Sequence, residues 1–179
     1  MTWFDAVCHS FATIATGGFS TKQSNILYWN SPYIQYVIII FMILAGVNFS
    51  LYYFGFKNKL EKIRQNEELR YYLIVLFGFA IIVAFSMIDF SRPISFHQVE
   101  ESWRNALFSV SSLMTTTGFT TVDYMQWKPF TWVILLIVML TGASAGSTSG
   151  AIKMVRIVIV FKFCYYITAN ISVSVARRN

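Results

Sequence analysis

Two seven-residue stretches hold the side chains best suited to chemistry. The first reads Ala15-Thr16-Gly17-Gly18-Phe19-Ser20-Thr21, the second Thr115-Thr116-Thr117-Gly118-Phe119-Thr120-Thr121, and neither carries a charge. That composition suits an alkali cation crossing a membrane, which must exchange its water shell for protein oxygens; rows of backbone carbonyls supply these without a fixed charge. Gly18 and Gly118 have the backbone freedom to aim successive carbonyls at one axis. Thr16, Thr116 and Thr117 add hydroxyl oxygens on stiff β-branched stems. Phe19 and Phe119 would pack each loop against surrounding helices. A single T-x-G-F stretch reads more simply as a turn. Two copies, each after an apolar helix of half the spanning length, favour a pore loop instead.

A third small-residue run, Gly142-Ala143-Ser144-Ala145-Gly146-Ser147-Thr148-Ser149-Gly150, lies inside a long apolar stretch. Two G-x-x-x-G spacings fit close helix packing. So many Gly, Ser and Thr residues also weaken a helix in mid-membrane. Gly142, Gly146, Ser147, Thr148 and Gly150 would then form a constriction that moves aside as a gate. Lys153 follows Gly150 at a spacing unlike that of a phosphate-binding G-x-x-x-x-G-K-[ST] loop. Lys153 and Arg156, three apart, share a helix face; they either snorkel to cytoplasmic headgroups or anchor the break near the pore. Asp5 and Asn105 sit near the starts of the two short helices, where a carboxylate complements the helix N-terminus. His9 reads as a packed or hydrogen-bonded histidine, and Cys8 and Cys164 as apolar residues without disulfide or metal spacing. No Ser/His/Asp set or carboxylate pair is apparent, so no enzyme is expected. Asp89 stands near the end of its span, and the mid-span carboxylates of a proton-coupled carrier are absent from the sequence.

The elements that must position these loops are membrane helices. Hydrophobic residues make up 56% of the 179 and charged residues 12%, about half the charge of a soluble domain. Stretches 33–56, 71–88 and 130–152 contain no charge, and each reaches the roughly 18 residues that mark a spanning helix. The net charge of +6 resides in loops between apolar runs, which encodes orientation rather than nucleic-acid binding. Segment 57–70 holds Lys57, Lys59, Lys62, Arg64 and Arg70 and reads as cytoplasmic. Both Thr/Gly loops then lie toward the outside.

Shifted by 100 residues, the chain aligns with itself without a gap for nearly 50 residues. Trp3 meets Trp103; Thr16, Gly18, Phe19 and Thr21 meet Thr116, Gly118, Phe119 and Thr121; Ala45-Gly46 meets Ala145-Gly146. The expected fold is all-α and membrane-integral, with helix–pore-loop–helix repeats. Residues 1–56 form one unit, with short helix 3–14, loop 15–21 and membrane helix 33–56. A cytoplasmic connection follows at 57–70. The second unit, 71–168, has membrane helix 71–90, short helix 102–114, loop 115–121 and membrane helix 130–168 broken at 142–150. A cytoplasmic tail completes it at 169–179. Each short helix ends at its loop, so its partial negative C-terminus faces the ion path.

The stretches F-A-T-I-A-T-G-G-F-S-T, T-T-T-G-F-T-T and A-G-S-T-S-G-A-I-K-M-V-R resemble the Trk/Ktr/HKT superfamily of potassium transporters, most of all the TrkH branch in its second and third repeats. The resemblance covers essentially the whole chain. It implies four helix–pore-loop–helix repeats around one pore, each giving one filter glycine, here Gly18 and Gly118. It implies that the run 142–150 is the intramembrane gate. It further implies a bacterial cytoplasmic membrane, dimers of pore subunits, a cytoplasmic nucleotide-binding regulator such as TrkA or KtrA, potassium as cargo and no cofactor. The usual S-T-G-G-G-[IL]-K is Ser147-Thr148-Ser149-Gly150-Ala151-Ile152-Lys153 here, with fewer glycines. The first and fourth repeats and the first helix of the second have no counterpart in the chain, which on this resemblance is a fragment requiring them. Alternatives are a non-conducting interaction piece and a sodium-coupled or less selective cation transporter.

Overall fold

The computed structural model describes residues 1–88 and 95–176. Its first unit begins with α1 (Trp3–Ile14). Thr2 and Asp5 close a reciprocal capping box at its start, each side chain bonding the other residue's backbone N–H. The helix stops where Thr16 turns left-handed, at φ 50°. A 3₁₀ turn (Asn25–Tyr28) leads to α2 (Pro32–Ala45), which opens on a proline whose missing N–H costs nothing at a helix start. α3 follows (Phe49–Phe56).

The uninterrupted helix expected over 33–56 is therefore two helices, bent by 94°. Three features make the bend. Asn48 accepts from Ser50 N–H at 2.9 Å and caps a new helix. Gly46 packs so closely on Tyr72 that a Cβ there would lie 2.3 Å from the phenol oxygen. The backbone freed at the bend bonds to the second unit, from Ser144 N–H to Gly46 C=O and from Phe49 N–H to Gly146 C=O, both 3.1 Å.

A short α4 (Leu60–Arg64) precedes α5 (Glu67–Met87), which Asn66 caps through Leu69 N–H at 2.8 Å. Among the described residues α5 alone is long and apolar enough to cross a membrane, or one of two such spans if the bent pair counts as one. It starts four residues before the expected 71; positions 89 and 90 of that expected helix, Asp89 included, lie outside the described residues. Tyr72, Leu76, Ala80 and Val83 form its fully buried stripe, facing α6 (Phe96–Met114).

α6 begins six residues earlier than the expected 102. Its polar first turns are stabilised by Arg104, which donates to both oxygens of Glu100 at 2.7 and 2.9 Å, and by Tyr36, whose hydroxyl reaches Glu100 at 3.0 Å. Residues Asn105 to Ser112 are all buried, which makes α6 the core of the chain. It packs on α2, on α5 and on α7 (Pro129–Leu140), which follows a second 3₁₀ turn (Tyr124–Gln126).

The last apolar run leaves helix at Thr141 and resumes as α8 (Met154–Ala176). The excursion 141–153 is thus wider than the expected break at 142–150. It closes on itself: Gly142 N–H donates to Ile152 C=O at 2.8 Å and Met154 N–H to Ala143 C=O at 3.1 Å. The tail expected from 169 is helical to Ala176; the basic pair Arg177 and Arg178 lies outside the described residues.

Candidate pore-loop site

Both Thr/Gly loops have the same backbone signature. Thr16 and Thr116 lie at φ 50° and 56°, Gly18 and Gly118 at 67° and 80°, while Gly17 and Thr117 between them are not left-handed. Alternating handedness turns successive carbonyls toward one side of a strand-like ribbon. A β-branched residue at positive φ is a strained outlier, costing about 1–2 kcal/mol. The loops hold it by tying their N–H groups back to the preceding helix. Thr16 N–H donates to Thr13 C=O at 3.2 Å and Gly17 N–H to Ala12 C=O at 2.8 Å; Thr116 N–H donates to Leu113 C=O at 3.1 Å and Thr117 N–H to Ser112 C=O at 2.9 Å. These four N–H groups are thereby consumed, and the carbonyls are left open. No donor among the described residues reaches the carbonyl oxygen of Thr16, Gly17, Gly18, Thr116, Thr117 or Gly118. Open oxygens on a neutral loop can bind a cation.

The loops meet, and they do so unequally. A Cβ built on Gly18 would stand 2.0 Å from Thr117 carbonyl oxygen, whereas one on Gly118 meets nothing within 4 Å. Phe119 is buried and stacks on His9 of α1, with ring centroids 5.8 Å apart; Phe19, its repeat counterpart, is 81% exposed. His9 is buried against Trp29 and hydrogen-bonded on both nitrogens, Nδ1 to Asp5 C=O at 2.6 Å and Nε2 to Ser20 Oγ at 2.9 Å. A carbonyl only accepts, so Nδ1 donates. The second loop therefore seats on the first unit, while no equivalent seat for the first loop is found among the described residues.

Asp5 also ties helix start to loop exit. Its Oδ1 accepts from Thr21 Oγ1 at 2.6 Å and its Oδ2 from Thr2 Oγ1 at 2.6 Å, and these hydroxyls hold the carboxyl down at about 2. The second unit lacks this link: Asn105 stands at Asp5's place, and the Thr121 hydroxyl is buried without a partner.

The excursion 141–153 touches both loops through the strained threonines. Thr16 Oγ1 lies 3.2 Å from Thr148 C=O, and Gly150 N–H donates to Thr116 Oγ1 at 2.7 Å. Thr148 Oγ1 reaches Ile14 C=O and Ala45 C=O at 3.3 and 3.4 Å. Gly142, Ser147, Thr148 and Gly150 thus share one connected structure with Thr16 and Thr116, and Gly146, at φ 76°, turns the chain beside Asn48. Lys153 and Arg156 separate: the Lys153 ammonium donates to the Ser149 carbonyl, while Arg156 is exposed. Three contributors escaped sequence reasoning. In Gly46-Val47-Asn48 only Gly46 was signalled, by Ala45-Gly46 meeting Ala145-Gly146 under the 100-residue shift. Glu68, which accepts from Ala145 N–H, had no signal beyond its place in a charged run. The left-handed threonines had none. Among the described residues no cluster of three or more His, Cys, Asp or Glu could hold a metal ion.

Comparison with known proteins identifies the family. The family TrkH, described as a cation transport protein, matches residues 1–174. The Trk system potassium uptake protein TrkH of Escherichia coli K12 is 38% identical over 167 residues, 90% of this chain and 33% of that protein. TrkG of the same strain is 34% identical, and TrkH of Halomonas elongata 33%, each over 163 residues with the same coverage. The chain spans about a third of the length of these curated relatives. The crystal structure of the potassium transporter TrkH from Vibrio parahaemolyticus superposes with a TM-score of 0.85 at 29% identity, over 96% of this chain and 37% of that one. With its family pattern matched almost from end to end, the chain belongs to the TrkH family of cation transport proteins.

Proposed function

We propose that the chain supplies two neighbouring loops of a potassium-selective pore, Thr16 to Phe19 and Thr116 to Phe119, with the excursion 141–153 as the gate beneath them. The observation that carries this is the one-directional contact between the loops. Gly18 and the His9 face receive the second loop, while Gly118 and Phe19 present the two unmatched halves of the same contact. A head-to-tail contact of this kind generates a ring when further copies continue the rotation. The chain then acts with further repeats of the same kind, and open carbonyls from each loop line one axis.

An exposed apolar band supports a membrane setting: Val133, Leu136, Met139 and Leu140 on α7, and Ile81 and Phe85 on α5, all face outward. The relatives' printed names support potassium as the cargo and a Trk-type uptake system as the context. The bacterial cytoplasmic membrane, a dimer of pore subunits and a nucleotide-binding regulator of the TrkA or KtrA type complete the proposal by resemblance.

The test replaces the matched third of the E. coli potassium uptake relative with this chain, in a strain unable to take up potassium. The chimera is expected to restore growth at low potassium. In reconstituted vesicles, Gly118→Ser is expected to lower the potassium-to-sodium preference. A chimera that folds and inserts yet carries no potassium, or a Gly118→Ser variant with unchanged preference, removes the proposal.

A further inference from the structure

The excursion 141–153 is tied at its ends to itself and on its upper side to Thr16 and Thr116. Two charged side chains also meet it, one from α5 and one from its own last residue. Glu68, in the first turn of α5, accepts at Oε1 from Ala145 N–H at 2.5 Å. Lys153, just before α8, donates from Nζ to Ser149 C=O and lies 3.4 Å from Ser147 C=O and 3.3 Å from Ser149 Oγ. An ionised carboxylate can only accept and an ammonium can only donate. The turn 144–149 offers an N–H to the first and carbonyls to the second. Between them Ser147 Oγ donates to Ser144 C=O at 2.6 Å and contacts Ser149 Oγ at 2.8 Å, which locks the turn internally. Glu68 is released for this task because Asn66 already caps α5. Its neighbour Glu67 pairs with Lys162 of α8 at 2.5 Å, so one helical turn grips both the excursion and the helix beyond it.

We propose that Glu68 and Lys153 are positioning residues that clamp the turn 144–149 from opposite charges, one on its N–H and one on its carbonyls. Movement of the first turn of α5, which follows directly on the connection 57–66, withdraws the acceptor from Ala145 and loosens the turn. The consequence for transport rests on the excursion being the gate.

Hydrogen exchange of the whole chain in lipid nanodiscs tests the clamp directly. Glu68→Ala is expected to speed exchange across 143–150 about ten- to hundredfold, the worth of one hydrogen bond to a charged group. Glu68→Gln, which keeps an acceptor but loses the charge, is expected to produce a smaller rise. The charge exchange Glu68→Lys with Lys153→Glu is expected not to restore protection, because each partner would then face a backbone group of the wrong kind. Unchanged exchange in Glu68→Ala overturns the clamp, as does restoration by the charge exchange, which would mean a plain ion pair. If Glu68→Ala also loosens α6, Glu68→Gln decides: its rise must be confined to 143–150. In the chimera, Glu68→Ala is expected to raise potassium leak without altering the potassium-to-sodium preference. Faster exchange with unchanged leak keeps the clamp and removes the gate assignment instead.

Discussion

Gly18→Ala and Gly118→Ala are the same chemical change at repeat-equivalent positions, and the structure assigns them different costs. Both glycines have positive φ, 67° and 80°, so an alanine at either carries about 1–2 kcal/mol of left-handed strain. Only Gly18 adds a collision. Its new methyl would sit 2.0 Å from Thr117 carbonyl oxygen and 3.1 Å from the carbonyl carbon, and backbone atoms cannot rotate out of the way as a side chain would. The loops must separate by on the order of 1 Å, an overpacking cost of about 1–3 kcal/mol. Gly118→Ala meets open space. The difference, about 1–3 kcal/mol, is about five- to 150-fold in the population of the locally opened state. Limited proteolysis of the chain in nanodiscs, at protease levels low enough that cleavage follows the opening equilibrium, reads that population. Cleavage near the loops is expected to rise in the order wild type, Gly118→Ala, Gly18→Ala. Equal rates for the two variants, or the reverse order, would show that the loops do not meet at Gly18 and refute the reasoning.

Three more expectations rest on packing and hydrogen bonds. Phe119→Ala empties a buried site against His9 and should cost about 3–5 kcal/mol, whereas Phe19→Ala, at 81% exposure, should stay within about 0.5 kcal/mol in this chain, as judged by chemical denaturation in micelles. Gly46→Ala forces a methyl to 2.3 Å from the Tyr72 oxygen and 3.0 Å from Thr115 Cγ2; it should destabilise by about 1–3 kcal/mol, and Tyr72→Phe should restore part of the loss. Asp5 sits in the first turn of a helix too short to span, and its carboxyl is lowered from 3.8 to about 2. Its contribution is therefore complete above pH 3.8 and disappears as pH falls through about 2, so wild type and Asp5→Asn should differ in stability at neutral pH and converge in acid unfolding below it.

How far the sequence carries depends on whether an element is made locally. The short helix before Gly18, the loop after it and the small-residue run at 142–150 follow from composition, spacing and the 100-residue repeat. The bend at Gly46 does not, because its driving contacts come from Ser144, Gly146 and Tyr72, far along the chain. An apolar run such as 33–56 has the same hydropathy whether straight or folded over. The early start of α6 rests on a Glu100–Arg104 pair that reads, in sequence, as an ordinary polar connection. Thr16 and Thr116 adopt a conformation their propensity disfavours, since tied N–H groups and contacts to the excursion over-determine them. The role of Glu68 appears only when α5 and the excursion are brought together.

The backbone bond from Gly142 to Ile152 has a mechanical consequence. By joining the two roots of the excursion, it would let the turn between them, as the proposed gate, swing like a flap on a fixed post without displacing α7 or α8. The lipid-facing contour need not change area or thickness as the flap moves. On the proposed gate assignment, bilayer tension and acyl-chain length would then do little work on that motion, and its triggers would act through the polar contacts at Thr16, Thr116 and Glu68.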